Sequence, residues 1–315
     1  MPAIWSWLNK RRLERTRALP ASFWHWERRC GFTCGADVTH NTDMTESELP
    51  EAGAPPETEE ETGSLVFEQP LNERMRTFLR VDFLYNQALY HNEIASQWGS
   101  RAAMGSLIDI LAITTRGDVR SDVLKELERH LATLSEFQSK PGVDPERLRT
   151  LVGNLQRLRG ELMNAGSAFL QPLRDSEFLS AIKHRSAIPG GTCEFDLPDY
   201  YYWLAQSDEP RIRTFNQWLG MLRPLCDAIA ELLWLTRQNG RTREEKAPAG
   251  LFHITFDRDT PYQLLRISLP ISAGMYPEIS GSHYRCSVRF LEWKGLTTRP
   301  TQTTADVPFI LSCCG

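Results

Sequence analysis

The sequence predicts an α+β protein, with an N-terminal all-helical domain followed by a β-sandwich-like domain that contains an inserted helix. Apolar residues recur at helical spacing through most of residues 63–187, whereas residues 188–315 hold short apolar runs between Pro, Gly and Asp turns. The length of 315 residues suits two domains, and a 41% hydrophobic content can supply their cores. No apolar run approaches the roughly 18 residues of a membrane-spanning helix, which argues against an integral membrane protein.

Residues 1–62 are predicted to be a leader that is disordered or mis-annotated. Residues 1–43 place four tryptophans among arginines without sustained helical periodicity, and Met44 is a candidate for the true start. Residues 44–62 contain seven Glu and no Lys or Arg, a low-complexity composition that favours solvation. The folded part is therefore expected to begin at residue 63.

The helical domain is predicted to begin with a short strand at residues 65–68, which is expected to join the sheet of the second domain. Asn72 can cap a helix over residues 73–90, because its side-chain oxygen can accept from unpaired first-turn amides. A second helix is predicted over residues 93–116 and ends at Gly117.

Two further helices carry leucines at spacings of three and four residues. Asp118 caps the first, and Asp144 with Pro145 starts the second. The short connection at residues 140–142 favours an antiparallel hairpin. Such a stripe is usually intramolecular core, although a dimer seam remains an alternative. The leucines are Leu124, Leu127, Leu131 and Leu134, and Leu148, Leu151, Leu155, Leu158 and Leu162.

The remaining elements are predicted from apolar runs and from the Pro and Gly residues that end them. One helix is predicted near residues 175–185, before the Pro189-Gly190-Gly191 breaker, and a longer one interrupts the strands. The predicted strands cover residues 251–256, 264–269, 284–291 and 307–311, and the inserted helix covers residues 211–238.

The sequence carries no recognised catalytic template. Phosphate-binding glycine loops, a nucleophile elbow and a zinc-protease motif are all absent from it. Its seven cysteines and seven histidines are scattered without the spacing of metal ligands. We therefore expect no catalytic residue, no cofactor and no metal, and interpret the protein as a non-enzyme.

Charge argues against a nucleic-acid-binding protein. Residues 63–315 carry 29 basic and 29 acidic residues, so the body of the protein is neutral and any electrostatic function needs local clustering. An unrelated α+β enzyme or a nucleic-acid-binding module remains the alternative interpretation.

Three pairs of arginines share a spacing of four residues. Within a helix or a strand, that spacing puts both side chains on one face, and the middle pair flanks the Gly117 turn. The guanidinium fork binds carboxylates bidentately, so these pairs predict a site for an acidic partner. A solvated face of unrelated arginines is the alternative. The pairs are Arg76 and Arg80, Arg116 and Arg120, and Arg285 and Arg289.

Collinear motifs from residue 65 to residue 315 resemble the ZapD (YacF) family. The most extended is Leu-Val-Phe-Glu-Gln-Pro-Leu-Asn-Glu-Arg-Met-Arg-Thr-Phe-Leu-Arg at residues 65–80, which is similar to the family's N-terminal signature. The others are Arg-Gly-Asp-Val-Arg at 116–120, Leu-Lys-Glu-Leu at 124–127, Pro-Gly-Val-Asp at 141–144, Ile-Pro-Gly-Gly at 188–191, Phe-Asp-Leu-Pro at 195–198, Tyr-Pro-Glu-Ile-Ser-Gly at 276–281 and Cys-Cys at 313–314.

The resemblance implies a cytoplasmic bacterial division protein that binds the tubulin-like protein FtsZ. It implies a helical domain joined to a β-sandwich-like domain, and a homodimer formed through the helical part. It also implies a basic pocket for the acidic C-terminal tail of FtsZ, cross-linking of FtsZ filaments, and a location at mid-cell with the division ring. Neither a nucleic-acid partner nor membrane integration is expected.

The resemblance also implies roles for particular residues. The family's pocket arginines match Arg76, Arg80, Arg116, Arg285 and Arg289, and the spacing argument adds Arg120. Tyr201 occupies a position where some family members carry a histidine implicated in binding, so it is a further candidate. Residues 1–62 lie outside the resemblance and inherit nothing from it.

Overall fold

The computed structural model describes residues 63–138, 140–256, 262–282 and 284–315, so the predicted leader lies outside the described residues. The helices are α1 (Glu73–Glu93), α2 (Gln97–Arg116), α3 (Val119–Phe137), α4 (Pro145–Asn164), α5 (Gln171–Arg174), α6 (Glu177–Ser186), α7 (Pro198–Ala205) and α8 (Asp208–Gln238). The strands are β1 (Ser64–Pro70), β2 (Arg241–Ala247), β3 (Leu251–Thr255), β4 (Leu264–Pro270), β5 (Met275–Gly281), β6 (Arg285–Glu292), β7 (Thr301–Gln302) and β8 (Val307–Cys314).

The predicted helix starts are confirmed by capping hydrogen bonds. The Asn72 side chain accepts from the amide of Met75 at 2.8 Å, and Asp118 accepts from the amide of Ser121 at 3.0 Å. Asp144 caps α4 in the same way, with Pro145 in the first turn, where its missing N–H costs nothing. These caps fix where α1, α3 and α4 begin.

The leucine stripes of α3 and α4 are buried inside the helical layer. All five α4 leucines are buried, as are Leu127 and Leu134, while Leu124 and Leu131 pack partly buried against the same core. The stripe is therefore intramolecular core, the first of the two interpretations above. Side chains used in this way are not available for a dimer contact.

The long helix α8 lies at the centre of this helical core. Its buried side chains include Phe215, Leu222 and Leu232, and it packs against α1, α3 and α4. Both α7 and α8 contribute to the helical core, so the division between the two cores falls after Gln238 and not near residue 187. Apolar periodicity predicted α8 itself, but it carries no information on which core a helix joins.

The strands form two antiparallel sheets packed face to face. Sheet A has the strand order β1-β4-β8-β2, and sheet B has the order β3-β6-β5, with β7 also paired to β6. The apolar core between them includes Ile267, Val288, Phe290, Phe309 and Leu311. The predicted strand near residues 65–68 is part of sheet A, where β1 pairs with β4. These observations confirm the α+β class with a β-sandwich.

Three strands escaped the sequence prediction: the two-residue β7, and β2 and β5, for which there are physical reasons. β2 reads Arg-Thr-Arg-Glu-Glu-Lys-Ala and lies at an edge of sheet A, where packing requires almost no apolar side chains. β5 contains Pro277 and lies at an edge of sheet B, the position in which a sheet tolerates proline. Edge strands therefore weaken the pattern on which strand prediction depends.

Sheet A also contacts the helical layer through its other face. Leu264 and Cys314 are fully buried in the helical core, whereas their neighbours Leu265 and Cys313 belong to the sandwich core. Successive side chains along a strand point to opposite faces of the sheet, so each of these strands contributes side chains to both cores. Helices, sheet A and sheet B form three successive layers.

The central position of α8 makes a testable prediction about stability. Leu222 is 0% exposed, so Leu222→Ala leaves a cavity and should lower the free energy of unfolding by about 2–5 kcal/mol. Leu296 is 93% exposed, and Leu296→Ala should change it by less than about 0.5 kcal/mol. Urea titration followed by circular dichroism measures both; similar values for the two variants would contradict the burial of α8.

Candidate functional site

Arg76 and Arg116 lie at the same end of the helical layer. α1 and α2 pack as an antiparallel hairpin joined by residues 94–96. At 1.5 Å per residue, Arg76 is about 26 Å and Arg116 about 28 Å along the helix axes from that connection. Packed helix axes are about 8–10 Å apart, so the two positions lie at a similar height on neighbouring helices. Arg80 follows one turn along α1.

Two further arginines lie at the end of α2. Arg174 in α5 donates from Nη2 to the carbonyl of Thr114 at 2.9 Å, in the last turn of α2. Arg120 in α3 donates from Nε to the carbonyl of Leu162 at 3.2 Å, in the last turn of α4, where carbonyls lack intrahelical partners. Arg120 therefore has a structural role. Sequence reasoning missed Arg174, because only a contact between residues 60 positions apart brings it here.

Arg285 lies at the corresponding end of the sandwich. It pairs with Thr255 at the end of β3, after which the chain crosses from sheet B to sheet A. That crossing ends at Gln263, whose carbonyl accepts from the amide of Leu71 at 2.9 Å, two residues before α1 begins. Because Cys286 is buried in the sandwich core, Arg285 points to the outer face of sheet B.

We call this part of the molecule the arginine end. The name groups positions on the helical layer with Arg285 on the outer face of sheet B, and sheet A lies between those two layers. Its members are Arg76, Arg80, Arg116, Arg120, Arg174 and Arg285.

Three members of the arginine end have guanidinium groups with neither an acidic partner nor a carbonyl partner among the described residues. Arg80, Arg116 and Arg285 are exposed, and none of them forms an ion pair or a side-chain hydrogen bond with any described residue. An incoming carboxylate could bind them without displacing a protein group.

The other predicted arginines have local partners. Arg76 lies 3.3 Å from a carboxylate oxygen of Glu73, which is 87% exposed, so this pair contributes little. Arg289, farther along β6, forms an ion pair with Glu278 directly opposite it on β5. A ligand that binds Arg289 must exchange with Glu278.

The structure places Tyr201 away from the arginine end of its own chain. Its neighbour Tyr200 packs under the guanidinium of Arg101, 5.0 Å from the ring centroid, in the second turn of α2. Arg101 and Arg116 are about 23 Å apart along the helix axis. Tyr201 is 41% exposed, and the rings of Trp98 and Tyr202 are also exposed.

A buried carboxylate holds the layers together behind the arginine end. Glu126 in α3 is 1% exposed; it accepts from Arg129 at 2.7 Å and from Gln263 at 2.9 Å, and it lies 3.2 Å from Arg74 of α1. Burial opposes its ionisation, but the bonds from Arg129 and Gln263 and the charges of both arginines outweigh burial and lower its pKa. Glu126 thus joins α1, α3 and the start of β4.

A second carboxylate ties the far end of α8 to sheet A. Glu68 on β1 accepts two hydrogen bonds from Arg237 of α8, both at 2.8 Å, and one from Arg266 of β4 at 3.0 Å. Burial opposes its ionisation, yet the hydrogen bonds and charges of the two arginines lower its pKa. The bidentate geometry fixes α8 relative to β1.

His130 is held neutral beside this network. It is 1% exposed, and its Nε2 lies 3.1 Å from Nη2 of Arg129. Because arginine can only donate, Nε2 is the acceptor and the ring carries its proton on Nδ1. Burial, followed by the charge of Arg129, lowers the pKa of His130 to about 4.

Neither a metal-binding cluster nor a helix that could span a membrane occurs in the described residues. No group of three or more His, Cys, Asp and Glu side chains within residues 63–138, 140–256, 262–282 and 284–315 could hold a metal ion. In the same ranges, none of the helices has an apolar stretch long enough to cross a membrane. The chemistry available at the arginine end is recognition of carboxylates.

Comparison with known proteins decides the family. A family model described as ZapD, cell division protein, matches residues 79–289. The chain belongs to the ZapD family. It is 38% identical over 251 residues to the cell division protein ZapD of Methylococcus capsulatus, a match that covers 79% of this chain and 98% of that protein. The proteins of the same name from a Janthinobacterium strain and from Dechloromonas aromatica are 36% and 33% identical over 250 residues, covering 99% of each.

The resemblance predicted from the sequence motifs is therefore confirmed, and it assigns the chain to cell division. The residues that match the family model begin in α1 and end in β6, so they contain Arg80, Arg116, Arg120, Arg285 and Arg289. Arg76 lies three residues before the match.

The buried state of His130 predicts an acid-sensitive stability. In the unfolded chain its pKa is 6.5, so between pH 6.5 and about 4 the unfolded state binds a proton that the folded state does not. Stability from this group is complete above pH 6.5 and is lost as the pH falls toward 4. The contribution of His130 to the free energy of unfolding should fall by about 2 kcal/mol between about pH 7.5 and about pH 5.

The His130→Gln variant should lose this part of the pH dependence, because a glutamine oxygen can still accept from Arg129 but does not titrate. The control is His253→Gln, at an exposed position on β3, which should keep the parent profile. Urea titrations at the two pH values measure the difference. A parent-like slope in His130→Gln would contradict the assignment.

Proposed function

We propose that the protein binds the acidic C-terminal tail of FtsZ through the arginine end and, as a homodimer, cross-links FtsZ filaments at the mid-cell division ring in the cytoplasm. The observation that carries the proposal is the set of exposed arginines Arg80, Arg116 and Arg285, which have no acidic partner among the described residues. The identification of FtsZ as the partner comes from the family resemblance.

Arginine suits this task for a physical reason. Its guanidinium group stays charged at any physiological pH and offers five donors in a planar fork, so it can bind a carboxylate through two parallel hydrogen bonds. The arginine end presents such groups from α1, α2 and β6, which are rigid elements. Rigid placement reduces the entropy lost when an extended acidic tail binds.

Cross-linking requires two sites in one particle. A homodimer supplies two arginine ends, and a filament displays one tail on each subunit, so modest affinity at each site becomes strong binding overall. The buried leucines of α3 and α4 cannot make the dimer contact. Exposed apolar side chains on the helical layer, such as Trp98 and Phe195, are better candidates, because exposed aromatic patches mark interaction surfaces.

The proposal predicts that charge reversal at the unpaired arginines weakens tail binding without unfolding the protein. Arg116→Glu and Arg285→Glu should each raise the Kd for an FtsZ tail peptide about thirtyfold, which corresponds to about 2 kcal/mol. The matched control is Arg149→Glu, because Arg149 is also exposed and forms no ion pair with a described residue, but it lies about 20 Å along α4 from the Arg120 contact. Fluorescence anisotropy measures Kd.

Circular dichroism should stay native in all three variants. Binding by the parent should also weaken as salt rises from about 0.1 M to about 1 M, because the screening length shrinks from about 10 Å to about 3 Å. Equal losses in Arg149→Glu and Arg116→Glu would mean that general charge, not the arginine end, governs binding.

The second prediction separates binding from bundling. A variant shown by light scattering to be monomeric, sought first at Trp98 and Phe195, should bind the isolated tail peptide with parent affinity but should not bundle FtsZ filaments in sedimentation or electron microscopy. Any change in GTP turnover by FtsZ should appear only where bundles form. Bundling by a verified monomer would refute the two-site mechanism.

A further inference from the structure

Residues 44–62 form the most strongly acidic run of the chain, with seven Glu and no Lys or Arg. They end just before Gly63, where the described part of the chain begins, and β1 starts at the next residue, Ser64. We propose that this acidic segment binds the arginine end of its own chain and competes there with the acidic tail of the partner. The competition depends on the proposed function, whereas the intramolecular contact does not.

Charge complementarity identifies the occupant. Residues 63–315 are neutral overall, with 29 basic and 29 acidic residues, and residues 1–43 carry seven basic against four acidic residues. The net charge of +3 in residues 1–43 therefore cannot neutralise the −7 of the acidic segment. Unpaired Arg80, Arg116 and Arg285 offer the segment the same groups that they offer an external acidic tail.

The tether is long enough to reach the site. Gly63 precedes the end of β1 that lies farthest from α1, so the acidic segment must span about 20 Å, one strand length, to return to the start of α1. Glu46, Glu48 and Glu51 are 12 to 17 residues from Gly63, a reach of up to about 40–58 Å. Glu59, Glu60 and Glu61 are held within about 14 Å of Gly63.

Tethering makes a weak contact effective. A tether of this length gives the acidic segment an effective concentration on the order of 1 mM at the arginine end. If the free segment binds with a Kd of about 0.1 mM, the tethered segment occupies the site most of the time and weakens an external acidic ligand about tenfold. Removing the contact should therefore raise affinity for the external ligand by about that factor.

The first test detects the contact without FtsZ. The acceptor is the full chain with all seven Glu of residues 44–62 changed to Gln, and the probe is a fluorescent synthetic peptide of residues 44–62. We expect saturable, salt-sensitive binding that Arg116→Glu and Arg285→Glu each reduce at least fivefold and Arg149→Glu does not. Absence of binding, or binding that is equal in all the arginine variants, would overturn the proposal.

The second test uses two triple variants of equal charge in the full chain. Glu46→Gln, Glu48→Gln and Glu51→Gln together should raise affinity for an FtsZ tail peptide several-fold, whereas Glu59→Gln, Glu60→Gln and Glu61→Gln together should raise it much less. Equal effects would contradict a docked segment and indicate only bulk repulsion. If the segment peptide binds but the FtsZ tail does not, the proposed function fails while the intramolecular contact stands; the reverse result refutes the contact alone.

Discussion

The position of the arginine end depends on the buried carboxylate of Glu126. This group brings together Arg74 of α1, Arg129 of α3 and Gln263, which precedes β4. A carboxylate that is 1% exposed must keep its partners, because an unpaired buried charge costs several kcal/mol. The start of α1 is therefore held in one place relative to α3 and the sheet, and Arg76 and Arg80 are placed with it.

Glu68 performs the same task at the C-terminal end of α8. Its two arginine partners come from the helical layer and from β4, so the contact again crosses between layers. Polar contacts of this kind constrain geometry more than apolar packing does, since they require particular directions as well as proximity. Both carboxylates therefore join the helical layer to sheet A.

Local patterns predicted those features that depend on a single element. The caps at Asn72, Asp118 and Asp144 follow from side-chain chemistry, and the leucine stripe follows from the helical period. The arginine pairs were visible because spacing determines a shared face. The roles assigned to those arginines and to Tyr201 remain predictions.

Features that depend on contacts between distant residues could not be predicted. Arg174 reaches α2 through a bond to Thr114, and Glu126 meets Gln263 across 137 residues. The membership of α8 in the helical core, and the polar edge strand β2, likewise depend on what lies beside them in space. The spacing of apolar residues shows how much of an element is buried, but it does not show which other element it packs against.

The central claim is that arginines from the helical layer and from sheet B form one site for an acidic tail. Photo-crosslinking with an FtsZ tail peptide that carries a photoreactive group at its centre tests it most directly, with the modified residues mapped by mass spectrometry. The account predicts adducts both near residues 116–120 and near the start of β6 around Arg285. Adducts confined to one layer, or concentrated near Tyr201 and Trp98, would contradict it.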